Sequence, residues 1–160
     1  MTDMKRNVSH MLTYEQALQK MASLCSISEH CEHDVRGKLY KWGISTEDSD
    51  RIVDYLLDEG YLDENRFAMS YANDKLRFSH WGRLKIRSML QALRISDACI
   101  GEALARIDPE EYERILVRVL DGKRRTMDEC ESYDARIKII RFALQRGFEI
   151  SEITKFVDET

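Results

Sequence analysis

The sequence predicts an all-α protein, an elongated array of three tandem three-helix units. Three observations point there. Apolar residues recur at i, i+3 and i+4 along nearly the whole chain, and a single proline with seven glycines leaves few interruptions. One pattern of helix, stop and short helix also returns at a spacing of about fifty residues. Trp42-Gly43-Ile44, Leu93-Arg94-Ile95 and Arg146-Gly147-Phe148 hold the same place in the three units. The expected bounds are a flexible tail over 1–12, then repeats over 13–60, 61–107 and 108–160.

In the first unit Thr13-x-x-Gln16 makes a capping box, and Leu18, Met21, Ala22 and Cys25 share one helical face. Ser28 is read as the N-cap of a second helix that buries Cys31, Val35 and Leu39 and stops at Gly43, with Trp42 packing between units. A third helix begins in S-T-E-D-S-D, buries Ile52, Val53, Leu56 and Leu57, and ends at Gly60, leaving an acidic outer face.

The second unit opens at Asp63, a good N-cap, with Phe67, Ala68, Tyr71, Ala72 and Leu76 on a buried face. After a break over 79–82, Ile86, Met89, Leu90 and Leu93 form an apolar stripe beside a flank of Arg83, Arg87, Gln91 and Arg94. Ile100, Ala103, Leu104 and Ile107 mark the short helix that follows. In the third unit, Asp108-Pro109-Glu110-Glu111 supplies an N-cap and a proline at the first helical position, for a helix that carries Tyr112, Ile115, Leu116, Val119 and Leu120 and stops near Gly122. Residues 122–134 lack an apolar face and read as a loop or a frayed helix end. Ile137, Ile140, Ala143 and Leu144 then define a buried face, and Ile150, Ile153, Phe156 and Val157 the last short helix.

The second unit also carries the chemistry. The chain has 29 acidic and 25 basic residues, a net charge of −4, yet no acidic residue lies between Asp74 and Asp97. Lys75, Arg77, Arg83, Lys85, Arg87 and Arg94 fall in that interval, with Phe78, His80 and Trp81 among them. Cations interleaved with aromatic rings suit phosphate or an acidic protein surface, and the absence of nearby carboxylates removes local i, i+4 pairing as their explanation. Lys75, Arg77, Trp81, Arg83, Lys85, Arg87 and Arg94 are therefore the candidate binding residues. Reversing Arg83, Lys85 and Arg87 to Glu is expected to leave the helical fold intact. Phe67 and Tyr71 read as core.

Charged residues make up 34% and apolar residues 43% of the chain, which suits a folded, soluble protein. No window is apolar enough to span a membrane, and the polar N-terminus is not a secretory signal, so a cytoplasmic monomer is expected. Four cysteines without CxxC spacing point to free thiols. His30, Cys31 and His33 match no zinc spacing, no phosphate loop or nucleophile motif occurs, and neither a metal, a cofactor nor an enzymatic activity is expected.

The residues K-L-Y-K-W-G-I, G-Y-L-D-E-N-R-F-A-M-S-Y and G-R-L-K-I-R-S-M-L-Q-A-L-R-I-S resemble the RecX family, modulators of the RecA recombinase. The resemblance runs from about Tyr14 onwards, is sharpest from Lys38 to Ile100, and weakens in the third unit. It implies binding to RecA and its nucleoprotein filament, inhibition of recombinase and coprotease activities, and thereby modulation of DNA repair and the SOS response. Contact with single-stranded DNA would be weak or made through the filament. Two features depart from the family: Arg94 stands where glycine is usual, which makes a left-handed turn less comfortable, and the overall charge is acidic. A helical-repeat adaptor that binds protein alone is the competing reading.

Overall fold

The computed structural model describes residues 11–128 and 132–157. Its helices are α1 (Tyr14–Ile27), α2 (Glu32–Lys41), α3 (Thr46–Asp58), α4 (Glu64–Ser79), α5 (Arg83–Ala92), α6 (Asp97–Ala105), α7 (Pro109–Arg124), α8 (Tyr133–Gln145) and α9 (Ile150–Val157). No strand occurs among the described residues. The chain forms two compact units, Met1–Phe67 and Ala68–Thr160, so the division falls inside α4.

In the first unit, the Thr13–Gln16 capping box starts α1 as its sequence requires. Ala17 and Met21 on α1, Val35 and Leu39 on α2, and Ile52, Val53 and Leu56 on α3 close one core with Ile44 and Leu62. Arg66 ties the end of this unit together, donating to Glu29 at 3.1 Å and to the Gly60 carbonyl at 2.9 Å. Ser28 does not cap α2. It is the C-cap of α1, in extended conformation with φ −152°, and the chain stays extended to Cys31, the true N-cap, whose burial sets where the helix begins. Burial pushes the Cys31 thiol up to about 11, so it stays protonated near neutrality. Cys25 and Cys31 are free thiols, and Cys130 lies outside the described residues. Trp42 packs on the first core with the Lys20 ammonium 4.6 Å from its ring. Of the expected tail only Met11 and Leu12 are described, and both are tied down: the Leu12 N–H donates to the Trp42 carbonyl, and Met11 lies over Gly43.

The repeat is written in the backbone at three turns. After α2, α5 and α8 the chain turns through Gly43 (φ 78°), Arg94 (φ 61°) and Gly147 (φ 91°). At each turn the next residue donates five positions back, Ile44 to Leu39, Ile95 to Leu90 and Phe148 to Ala143. The left-handed residue itself donates three back, to Tyr40, Gln91 and Leu144. This is the Schellman motif, with the apolar residue after the turn buried each time. Arg94 thus takes the left-handed conformation despite its Cβ. Such a conformation costs an L-residue about 1–2 kcal/mol, partly offset by the greater unfolded freedom of glycine. Arg94→Gly is accordingly expected to stabilise the second unit by about 0.5–1 kcal/mol, read as a rise of about 1–3 °C in the melting midpoint.

Some expected faces shift. Leu57 and Met89 are exposed, because the buried arcs of α3 and α5 are narrower than their apolar stripes. Helix α7 passes through Gly122 to Arg124, which donates to Asp121 and to the Phe156 carbonyl and so holds the last turn. In α8 the buried residues are Ala135, Ile139 and Ala143, leaving Leu144 exposed. Two alanines let a helix approach its neighbours more closely than the bulkier stripe of Ile137, Ile140 and Leu144 would allow. On α9, Ile153 and Val157 are buried while Ile150 is half exposed.

Candidate functional site

The site is built where α4 gives way to α5. Asp63 caps the N-terminus of α4, accepting from the Arg66 N–H at 2.9 Å, and the helix buries Ala68, Ala72 and Leu76. It ends at His80, which is left-handed with φ 55°, a conformation that histidine tolerates better than most side chains. Trp81 is then turned back, its N–H donating to the Lys75 carbonyl at 3.1 Å. Two ammonium groups approach its ring, Lys75 at 4.9 Å and Lys85 at 4.5 Å from the ring centre. Lys75 also faces Tyr71 at 5.4 Å. Phe78, 78% exposed, stands on the same helix end.

Gly82 caps α5 without a side chain, and its neighbours in the fold supply the acceptors. The Gly82 N–H donates to the Arg146 carbonyl at 2.7 Å, the Leu84 N–H to the Gly147 carbonyl at 2.9 Å, and the Arg83 N–H to the Tyr112 hydroxyl at 3.2 Å. The backbones approach so closely that a Cβ on Gly82 would lie 2.4 Å from the Gly147 oxygen, and one on Gly147 would lie 2.3 Å from the Lys85 Cβ. The start of α5, the N-terminal part of α7 and the turn after α8 therefore form one clasp.

The cations divide accordingly. Arg83 belongs to the clasp: its guanidinium stacks 3.8 Å from the centre of the Tyr112 ring and donates to Glu149 at 2.9 Å. The Tyr112 hydroxyl donates to the other Glu149 oxygen. Burial, and then the Glu149 carboxylate, push the Tyr112 phenol well above its ordinary range, so it remains a neutral donor. Arg77 pairs with Glu111 through two N–H donors, at 2.5 and 3.1 Å, and that hydrogen bonding holds the Glu111 carboxyl below its usual range. Arg87 and Arg94 are exposed and have no ion-pair partner among the described residues.

The structure thus brings Lys75, Trp81 and Lys85 together and leaves Arg87 and Arg94 open, while Arg77 and Arg83 are engaged internally. The expectation that Arg83 could be reversed without harm to the fold fails, because a glutamate there would face Glu149. Sequence reading missed the counter-charges Glu111 and Glu149 and the hydroxyl of Tyr112, since all three lie in the third repeat, beyond any local pairing window. No group of three metal-ligating side chains occurs among the described residues, and no described helix is long and apolar enough to cross a membrane.

These features define a helical-repeat protein whose second repeat presents a cationic, aromatic-bearing helix junction. A family model described as RecX, second three-helix domain, matches residues 63–104, the interval that holds this junction. Regulatory protein RecX of Pelodictyon phaeoclathratiforme is 29% identical over 132 residues, spanning 81% of this chain and 79% of that one. The Vibrio vulnificus protein of the same name is 27% identical over 130 residues, with 81% and 83% covered. A Clostridium botulinum (strain Eklund 17B) relative, also named regulatory protein RecX, is 32% identical over 132 residues, or 80% of this chain and 60% of its own length. In fold, the chain superposes on a crystal structure of regulatory protein RecX with a TM-score of 0.80 at 21% identity, and on RecX from Lactobacillus salivarius with 0.78 at 19%. They cover 91% of this chain in both cases, and 73% and 94% of the respective structures. Along most of its length the chain is thus similar to the RecX family of regulatory proteins.

Proposed function

We propose that this protein binds the RecA recombinase and its nucleoprotein filament and inhibits recombinase and coprotease activity, and so modulates DNA repair and the SOS response. It acts in the cytoplasm as a non-enzymatic monomer of three repeats, 13–60, 61–107 and 108–160. Contact with single-stranded DNA is weak or made through the filament.

The observation that carries this reading is the cationic surface that remains after internal pairing. Lys75 and Lys85 against the Trp81 ring, with exposed Arg87 and Arg94, give a chain of net charge −4 a local surface suited to phosphate or to acidic protein side chains. The engagement of Arg77 and Arg83 by carboxylates narrows that surface, which is what an adaptor binding protein alone would also show.

Co-sedimentation with RecA filaments separates the two readings, followed by RecA's DNA-dependent ATP hydrolysis and strand exchange. Capture in the filament pellet is expected, with both activities reduced. A saturating excess that neither pellets nor inhibits would sink the regulator reading and leave the adaptor.

A further inference from the structure

A second cationic constellation lies in the unit Ala68–Thr160, its arginines and its lysine all outside the basic stretch. Helices α7 and α8, residues just beyond their C-terminal ends and the residue after α4 line an open cavity of about 280 Å³. His80, Arg118, Lys123 and Arg146 line it, together with Phe142 and Thr126. No carboxylate is among the described residues that line it.

That absence is informative in this chain. Acidic residues outnumber basic ones, and elsewhere in the fold arginines find carboxylates: Arg36 with Glu32 and Asp50, Arg77 with Glu111, Arg83 with Glu149, Arg106 with Glu102. The nearest acid in sequence, Asp121, is already bound by Arg124 at 2.9 Å. Among the described residues no carboxylate pairs with the cavity's cations, and two of them are held in place. The Arg146 guanidinium donates to the Ser79 carbonyl at 3.1 Å and lies 5.1 Å from the Phe142 ring centre, and the Lys123 ammonium lies 5.2 Å from the same ring. Like charges gathered on one ring repel one another, and an anion between them removes that repulsion. A positioned guanidinium beside an ammonium, with further N–H donors at the rim, is the donor set that phosphate oxygens take.

We propose that this cavity is a phosphate-binding site, with Arg118, Lys123 and Arg146 supplying the N–H donors. The phosphate comes either from a nucleic-acid backbone or from a small phosphorylated molecule. Both present the same oxyanion, and the site does not depend on any contact with a recombinase.

The test uses the full chain, without RecA, so that its outcome is separate from that of the filament assay. Inorganic pyrophosphate is added at constant ionic strength, with sodium chloride as the control, and the melting midpoint is recorded. At a hundredfold excess over Kd a rise of about 5 °C or more is expected. The double variant Arg118→Gln/Lys123→Gln, which touches neither the clasp nor the core, should keep the unliganded midpoint and lose the rise. Arg118→Gln alone, at an exposed position, should lose part of it. Binding of a twenty-residue oligothymidylate over a salt series then separates the sources. A slope shallower by about 1.4 in the double variant identifies a polynucleotide backbone, and an unchanged slope identifies a small phosphorylated ligand. No rise in the wild type beyond the chloride control, or an equal rise in the double variant, overturns the proposal.

Discussion

Gly147→Ala is expected to destabilise the second unit by about 3–4 kcal/mol, the largest effect of any single methyl group in this chain. Two causes add. Gly147 has φ 91°, where an L side chain is strained, and its new Cβ would fall 2.3 Å from the Lys85 Cβ and 2.4 Å from the Lys85 nitrogen. Neither neighbour is the end of a flexible side chain, so relief requires the start of α5 to move off the turn after α8. That movement breaks the hydrogen bonds from Gly82 and Leu84 to that turn. Gly82→Ala isolates the close approach, because Gly82 has an ordinary φ of −81°, and should cost about 2–3 kcal/mol. Gly101→Ala is the control. A Cβ there meets nothing within 4 Å, and the residue lies inside α6, so a gain of about 0.5–1 kcal/mol is expected. Urea unfolding of the three variants, followed by helical circular dichroism, checks the order and the signs.

Arg83→Glu is expected to cost about 3 kcal/mol, whereas Arg87→Glu should change stability by less than about 0.5 kcal/mol. The side chains of Arg83 and Glu149 are only 27% and 25% exposed, so solvent screens them incompletely. Reversal would set two carboxylates against each other beside the Tyr112 hydroxyl and would remove the guanidinium from its ring. Glu149→Arg in the same chain should recover part of the loss, because the pair is then restored in the opposite sense. Thermal melting of the two single variants and the exchanged pair measures the coupling. Equal melting of Arg83→Glu and wild type would show that the clasp does not hold the unit together.

Much of the fold was legible because it rests on short-range signals. The Thr13 capping box, Pro109 after Asp108, and the glycines at 43, 60 and 147 fix where helices start and stop through contacts within a few residues. The three Schellman turns were visible as a repeat even though Arg94 breaks the glycine pattern, because Ile95 and Leu90 keep the buried contact on either side of it. What sequence could not give was the choice between competing apolar stripes, as on α8, where the alanines win through close approach to neighbours. Nor could it assign partners to cations. Arg77 and Arg83 looked as free as Arg87, and only the folding of the third repeat against the second brings Glu111 and Glu149 to them. The cavity around Arg118, Lys123 and Arg146 was hidden for the same reason, its residues coming from segments that no local window joins.

The basic interval therefore contains two kinds of cation, those that close the clasp and those that face outward, and the functional reading rests on the second kind. Its most direct test is co-sedimentation of Arg87→Glu/Arg94→Glu with RecA filaments, beside a melting curve of the same preparation. Melting within about 2 °C of wild type is expected, together with about tenfold or greater loss of filament binding and a matching loss of inhibition, as two reversed surface charges would give. A variant that melts as the wild type does and still binds and inhibits in full would contradict the assignment of this surface to the filament.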